Sequence, residues 1–233
     1  MAVLGLSADE LVAVGLSLKV AAVATLASLP AGIAVAYVLA RWRFPGKLLL
    51  DGIVHLPLVL PPVVTGYALL LAFGRRGPAG AFLAECCGIV LSFRWTGAAL
   101  ACAVMAFPLL VRAVRLAFEA VDTGLEEAAG TLGASRPVVF LTVTLPLALP
   151  GVLAGAVLAF AKALGEFGAT ITFVSNIPGE TQTLPSAIYS YTQIPGGEPG
   201  ALRLALVAAA LSLGALVASE LLARPVARMV RGL

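Results

Sequence analysis

Charge is what this sequence has least of. Lys, Arg, Asp and Glu make up 12% of its 233 residues, against about a quarter in a soluble globular domain. So little charge cannot clothe a water-facing surface over so apolar a chain. Intrinsic disorder and nucleic-acid binding are excluded on the same ground, since both need abundant polar or basic surface. Chemistry-bearing residues are equally scarce. There is one histidine, His55, and three cysteines, Cys86, Cys87 and Cys102. None has metal-ligand spacing, and adjacent cysteines rarely bridge, so they read as small apolar side chains. No phosphate-cradling G-x-x-x-x-G-K-[ST] and no nucleophile elbow occurs. Neither a catalytic centre nor a bound metal or cofactor is expected. The leading segment MAVLGLSADE carries Asp9 and Glu10 and no basic residue before Lys19, so it lacks the basic region of a secretory signal and reads as an uncleaved first span.

Apolar residues are abundant, at 61% with a mean hydropathy of +1.04. A crossing helix takes about 20 apolar residues, so the length allows five to seven. The first apolar run is Leu11 to Ala40, closed by the basic, turn-prone Arg41-Trp42-Arg43-Phe44-Pro45-Gly46-Lys47. The second, Leu48 to Phe73, holds Pro57, Pro61 and Pro62. Prolines kink a helix by removing backbone donors, which lipid tolerates only where protein or a wet cavity satisfies the freed carbonyls. The piece from Ala79 to Phe93, with Glu85 inside, is short for a span and reads as interfacial or re-entrant. The third span is Thr96 to about Val111, the fourth Leu147 to Val174 and the fifth Leu202 to Leu222, with a polar loop from Ser175 to Gly200 between the last two. The predicted fold is all-α, one transmembrane domain over 1–233 with about five crossings, six if Ala79–Phe93 also crosses.

Cation placement orients it. With the N-terminus outside, the inside segments hold nine cations (Arg41, Arg43, Lys47, Arg112, Arg115, Arg136, Arg224, Arg228, Arg231) and the outside segments four (Arg75, Arg76, Arg94, Arg203). The C-terminus is then cytoplasmic. Lys19 and Lys162 lie within spans.

The longest hydrophilic stretch, Arg112 to Arg136, has its own local order. Thr123 with Glu126 has capping-box spacing. Leu125, Ala128, Ala129 and Leu132 share one helix face, and Gly133 stands where a left-handed residue ends a helix. Ser135 and Pro137 can start another. This elbow either lies on lipid or offers its small-residue face to another protein.

Glu127-Ala128-Ala129, Gly133 and Val143-Thr144-Leu145-Pro146 resemble the EAA signature of ABC-importer permeases, with Val143 where the family has Ile. The wider runs Phe44–Lys47, His55–Val64, Gly74–Gly77 and Leu164–Thr181 are similar to the molybdate ABC-transporter permeases. Sulfate and thiosulfate permeases share the Gly-Glu-Phe-Gly-Ala core but are usually longer, and tungstate is a natural companion substrate. The resemblance implies a type I importer permease fold, a homodimer, two cytoplasmic ABC ATPase subunits and an extracytoplasmic molybdate-binding protein. It implies a partner-coupling segment at about 119–146, carried by Glu126, Glu127, Ala128, Ala129, Gly133, Leu145 and Pro146. An ATP-independent secondary transporter would instead show inverted repeats, and none is visible. A non-transporting assembly factor would use the elbow merely as a docking handle.

Ionisable groups inside a membrane point to function by default. Lys162 and Glu166 are one helical turn apart, so they form either a self-neutralising pair or part of an anion path. Pro61, Pro62, Thr65 and Gly66 either kink their span or expose backbone donors to an anion. Thr170, Thr172, Ser175 and Asn176 are hydroxyl and amide donors, or simply a polar helix end. His55 is expected in a hydrogen-bonded packing role, and the outward-facing Arg75, Arg76, Glu180 and Glu198 either meet the binding protein or form a solvated rim.

Overall fold

Ser7 starts the first helix with a capping box: its hydroxyl accepts the Glu10 N–H, and the Glu10 carboxylate accepts the Ser7 N–H at 2.7 Å. Helix α1 (Ala8–Arg41) then runs for 34 residues, about 51 Å at the usual rise per residue. The computed structural model describes residues 5–231, without the side chains of 219, 220 and 222–231. The side chains of Arg224, Arg228 and Arg231, counted above as inside cations, therefore lie outside the described residues.

The second apolar run is not one helix. It divides into α2 (Lys47–Val59) and α3 (Pro62–Phe73), bent by 112° where Leu60 and Pro61 interrupt it. Pro57 sits within α2, and Pro62 opens α3, where a missing N–H is harmless. The two pieces together make one crossing. Lys47 follows the end of α1 that carries Arg41, whereas Trp95, which opens α5 (Trp95–Glu119), lies beneath the Lys19 ammonium of α1. Lys19 and Arg41 are about 33 Å apart along α1, so the chain changes ends between them. Helix α4 (Pro78–Cys87), of ten residues, is too short to cross. Its length is that of an interfacial or re-entrant helix, as expected for that piece.

Helix α5 extends past the expected stop near Val111 to Glu119, carrying Arg112 and Arg115 on its last turns. Polar residues continue a helix as well as apolar ones once its backbone is under way, so hydropathy marks the lipid edge rather than the helix end. Next come α6 (Thr123–Thr131), α7 (Arg136–Val139), a π-helical turn at Phe140–Thr144 and α8 (Leu145–Leu164). The segment Arg136–Leu164 is one apolar, span-length unit. The fourth crossing thus begins at Arg136 instead of the expected Leu147, and its α-helix stops at Leu164 rather than at Val174. After a break at Gly165–Phe167, the short α9 (Gly168–Val174) follows. The expected loop from Ser175 to Gly200 contains α10 (Leu184–Thr192), and α11 (Glu198–Arg231) begins inside it. Among the described residues, four helices are long and apolar enough to cross, five with the bent pair.

Lipid gives apolar side chains no reason to leave it, so association relies on close packing of small residues. Helices α1, α5 and α8 pack this way into the core. A Cβ on Gly32 would sit 2.7 Å from Leu110 Cδ2, and one on Gly151 would collide with Ala117 Cβ. Cys102, buried, donates its thiol to the Ala163 carbonyl at 3.4 Å. Three aromatic rings join α1, α5 and the π turn near Arg41, with Tyr37 4.8 Å from Phe140 and 5.6 Å from Phe118, both edge-on.

The tightest contact between broken segments is α3 on α9. A Cβ on Gly66 would lie 2.5 Å from the Ala169 carbonyl oxygen and 2.9 Å from Thr172 Cβ. Gly66→Ala therefore forces two backbones apart, with an overpacking cost of about 1–3 kcal/mol. In a thermal melt of the detergent-purified protein, Gly66→Ala lowers the midpoint clearly. Gly15→Ala, inside α1 where nothing lies within 4 Å, does not lower it, since alanine is the better helix former.

Candidate functional site

Two clusters gather the candidate residues. The first is the elbow around α6. Its N-cap is Asp122, whose carboxylate accepts the Gly124 N–H at 2.8 Å, so Thr123 is the first helical residue rather than the cap. The expected capping box is absent because Glu126 is engaged elsewhere. Its Oε1 accepts from Arg41 Nη2 at 2.9 Å and from the Thr144 hydroxyl at 2.7 Å. Gly133 has φ +87° and ends the elbow in the left-handed region, as expected. Ser135 precedes α7 without a side-chain cap bond.

No residue of α6 is buried. Glu127 and Ala128 are exposed, Ala129 is half-buried, and Leu125 and Leu132 are 50% and 89% exposed. The face that the periodicity defines thus points away from the chain's own core. Leu145 is half-buried and Pro146 exposed at the start of α8. Beside α6 lies a cavity of about 450 Å³, lined in part by Trp42, Arg41, Glu127 and Arg136. Adjacent glutamates thus diverge: Glu126 is tied inward, and Glu127 faces out.

The second cluster is where α3, after the break in the second crossing, meets α9, after the end of the fourth. Pro61 and Pro62 are exposed at the start of α3, and Gly168 of α9 sits where a Cβ would be 2.7 Å from Pro62 Cβ. Thr65 is buried, and its hydroxyl has no hydrogen-bond partner among the described residues. Thr170 donates to the Phe167 carbonyl at 2.9 Å and Thr172 to Gly168 at 2.8 Å, so both hydroxyls are spent on helix backbone. Lys162 pairs with Glu166, as the spacing suggests. The pair is lopsided: the carboxylate side chain is 1% exposed and the lysine 30%. Glu166 also accepts the Ala169 N–H at 3.0 Å, which satisfies a donor at the start of α9.

The remaining candidates lie outside both clusters. His55 Nδ1 is 2.9 Å from the Asp51 carbonyl oxygen. Asn176 donates to Ser190 at 2.7 Å, linking the end of α9 to α10, and Ser175 is exposed with φ +67°. Arg75, Arg76 and Glu198 are exposed. Arg41 is the residue that the pattern did not single out. It looked like one more cation at a span end, and its contact with Glu126, 85 positions away, leaves no local signature.

The model of the family described as "Binding-protein-dependent transport system inner membrane component" matches residues 28–228. The chain is 61% identical over 219 residues to the "Molybdenum transport system permease protein ModB" of Escherichia coli K12, covering 94% of this chain and 96% of that protein. It is 40% identical over 158 residues to the sulfate transport system permease protein CysT of Salmonella typhimurium, covering 68% and 57% respectively. Among solved structures it is similar to the inward-facing MetNI methionine ABC transporter, with a TM-score of 0.70, 20% identity and coverage of 92% and 94%. The fold is that of ABC-importer permeases.

The Lys162–Glu166 pair yields a stability test. Lys162→Met strands a buried carboxylate, which destabilises by up to about 3 kcal/mol. Adding Glu166→Gln removes that charge while keeping an acceptor for Ala169. The expected result is a lowered melting midpoint in Lys162→Met and a recovered one in the double variant.

Proposed function

The chain belongs to the family of binding-protein-dependent transport system inner membrane components, and from that premise we propose that it is the permease subunit of an ATP-driven molybdate importer. Two copies form the translocation pathway along their common axis. Two ABC ATPase subunits bind on the cytoplasmic side, and a molybdate-binding protein delivers substrate from outside. The permease itself catalyses no reaction.

The observation that carries the choice of molybdate is the 61% identity to the molybdenum permease across nearly both whole chains, against 40% over two thirds of this chain for the sulfate permease. Molybdate, tungstate and sulfate are all tetrahedral oxyanions, so sulfate and tungstate are the competitors to test.

The orientation follows the cations. Arg41, Arg43, Lys47, Arg112, Arg115 and Arg136 cluster toward the α6 end, which supports that end as cytoplasmic, with the N-terminus outside. Glu126, Glu127, Ala128, Ala129, Gly133, Leu145 and Pro146 then form the segment that couples to the ATPase. The open face of α6 supports this role, since Glu127, Leu125 and Leu132 are free to enter a partner's cleft. ATP binding draws the two α6 elbows together and opens the outer side, and hydrolysis resets the inward-facing state.

For the pathway we assign Pro61, Pro62, Thr65, Gly66, Lys162, Glu166, Thr170 and Thr172. Thr65 offers a hydroxyl without a partner among the described residues. Thr170 and Thr172 shape the wall rather than donate. Lys162 over a covered Glu166 presents the positive end of a neutral pair, which attracts an oxyanion without the net charge that would trap it.

Reconstitution with the ATPase and the binding protein tests the proposal. ATP-dependent molybdate accumulation that excess sulfate does not abolish is expected, and accumulation indifferent to ATP overturns it. Glu127→Lys should cut uptake to below about a tenth and weaken ATPase association, the penalty of reversing a charge at an interface, while membrane insertion stays normal.

A further inference from the structure

We infer that Arg41 is a positioning residue of the coupling machinery: through Glu126 it fastens α6 to α1, so that displacement of the elbow reaches the bundle instead of being lost in a loose loop. The inference rests on the proposed function, which makes α6 the point where force enters.

Helix α6 has nine residues and buries none of them, so packing alone holds it weakly. Among the described residues, its side-chain hydrogen bonds to other helices converge on one atom, Glu126 Oε1. That oxygen accepts from Arg41 Nη2 at 2.9 Å and from Thr144 Oγ1 at 2.7 Å. The same Arg41 Nη2 donates to the Val121 carbonyl at 3.1 Å, which grips the turn ahead of α6. Arg41 and Glu126 side chains are 15% and 18% exposed, sheltered enough for the pair to exceed an exposed surface bridge in strength.

Each tie leads to a different helix. Arg41 is at the end of α1, and Tyr37, one turn earlier on the same face, packs edge-on against Phe118 and Phe140. Pulling on Arg41 therefore pulls on a ring cluster shared by α1, α5 and the π turn. Thr144, buried, closes that π turn. A π turn is a local excess of backbone that often marks functional sites, and here it gives the start of α8 slack to follow α6. Glu127, by contrast, makes no such tie among the described residues and is left to the partner. Neighbouring acids thus divide two tasks: Glu127 receives, and Glu126 hands on through Arg41 and Thr144.

The test separates coupling from mere folding by reading a ratio. In the reconstituted complex with ATPase and binding protein, molybdate accumulated per ATP hydrolysed is measured for wild type, Arg41→Gln, Thr144→Val, and the exchange Arg41→Glu with Glu126→Arg. Assembly is read separately by size-exclusion chromatography. Arg41→Gln should assemble and sustain ATP hydrolysis, while the ratio falls about tenfold, the scale of a coupling between two sites. Thr144→Val should lower the ratio less, and the charge exchange should recover part of it. A wild-type ratio in Arg41→Gln overturns the inference, as does equal loss of assembly and uptake with the ratio unchanged. If Arg41→Gln does not insert, Thr144→Val decides, and an unchanged ratio there is equally fatal. A wild-type complex that transports without regard to ATP removes the functional reading as well, whereas wild-type coupling with an intact variant ratio removes this inference alone.

Discussion

In hydrocarbon, a backbone N–H or C=O without a partner has no water to turn to, and the rest of this structure depends on that constraint. Unbroken helices satisfy it internally. The two breaks, at Leu60–Pro61 inside the second crossing and at Gly165–Phe167 after the fourth, satisfy it by other means. Leu60 N–H still reaches the Leu56 carbonyl at 3.0 Å, Glu166 N–H reaches Ala163 at 3.3 Å, and the Glu166 carboxylate takes the Ala169 N–H. The helices that resume after the two breaks, α3 and α9, lie against each other, with Gly66 and Gly168 at contact points too close for any larger residue. Irregular backbone at membrane depth is thereby covered by equally irregular backbone. Gly66 is required because it meets the Ala169 main chain and Gly168 because it meets the Pro62 ring, and the prolines because one of those chains must break there.

The same economy governs charge. Each charge at depth is neutralised close by or lifted toward an end. Glu166 is covered and paired with Lys162, Glu10 is buried, paired with Arg203 and bonded to Ser7, and Asp51 meets Arg115 at 3.2 Å. Lys19 is the exception in kind, since it rests on the Trp95 ring, 3.6 Å from its centroid. An aromatic face attracts a cation without cancelling it.

Much of this was readable in the sequence because it is local. The proline cluster marks the bend, Gly133 marks the end of the elbow, and spacing alone pairs Lys162 with Glu166. The EAA run identifies α6 by pattern. The misses have a common cause. Thr123 and Glu126 fit a capping box in isolation, but Asp122 lies nearer and Glu126 has stronger partners at Arg41 and Thr144, far away in sequence. The polar stretch from Ser175 to Gly200 looked like loop because hydropathy measures lipid contact, whereas α10 is stabilised by burial of Leu184, Ser186 and Ala187 against its neighbours. The fourth crossing begins earlier than expected because Pro137 opens a helix that is apolar from Val138 onward, and Pro146 and Pro150 do not end it.

These features assign different mechanical characters to parts of one small chain. Helices α1, α5 and α8 interlock through small residues, and α5 alone buries twelve of its twenty-five. By contrast α2 buries one residue, Val54, and is tethered to α5 at its first turns by the Asp51–Arg115 pair. A body of interlocked helices moves as a unit, while a bent, thinly attached pair can change its angle at the break without disturbing that unit. The elbow is tied by Glu126 to the interlocked body and not to the bent pair. On the proposed function, force entering at α6 is delivered to the stiff part, and α2, which buries only Val54, is the crossing segment whose movement costs least. On that reading, the chain has a firm connection at the end assigned to the ATPase and a loosely held helix, α2, at the start of the bent pair.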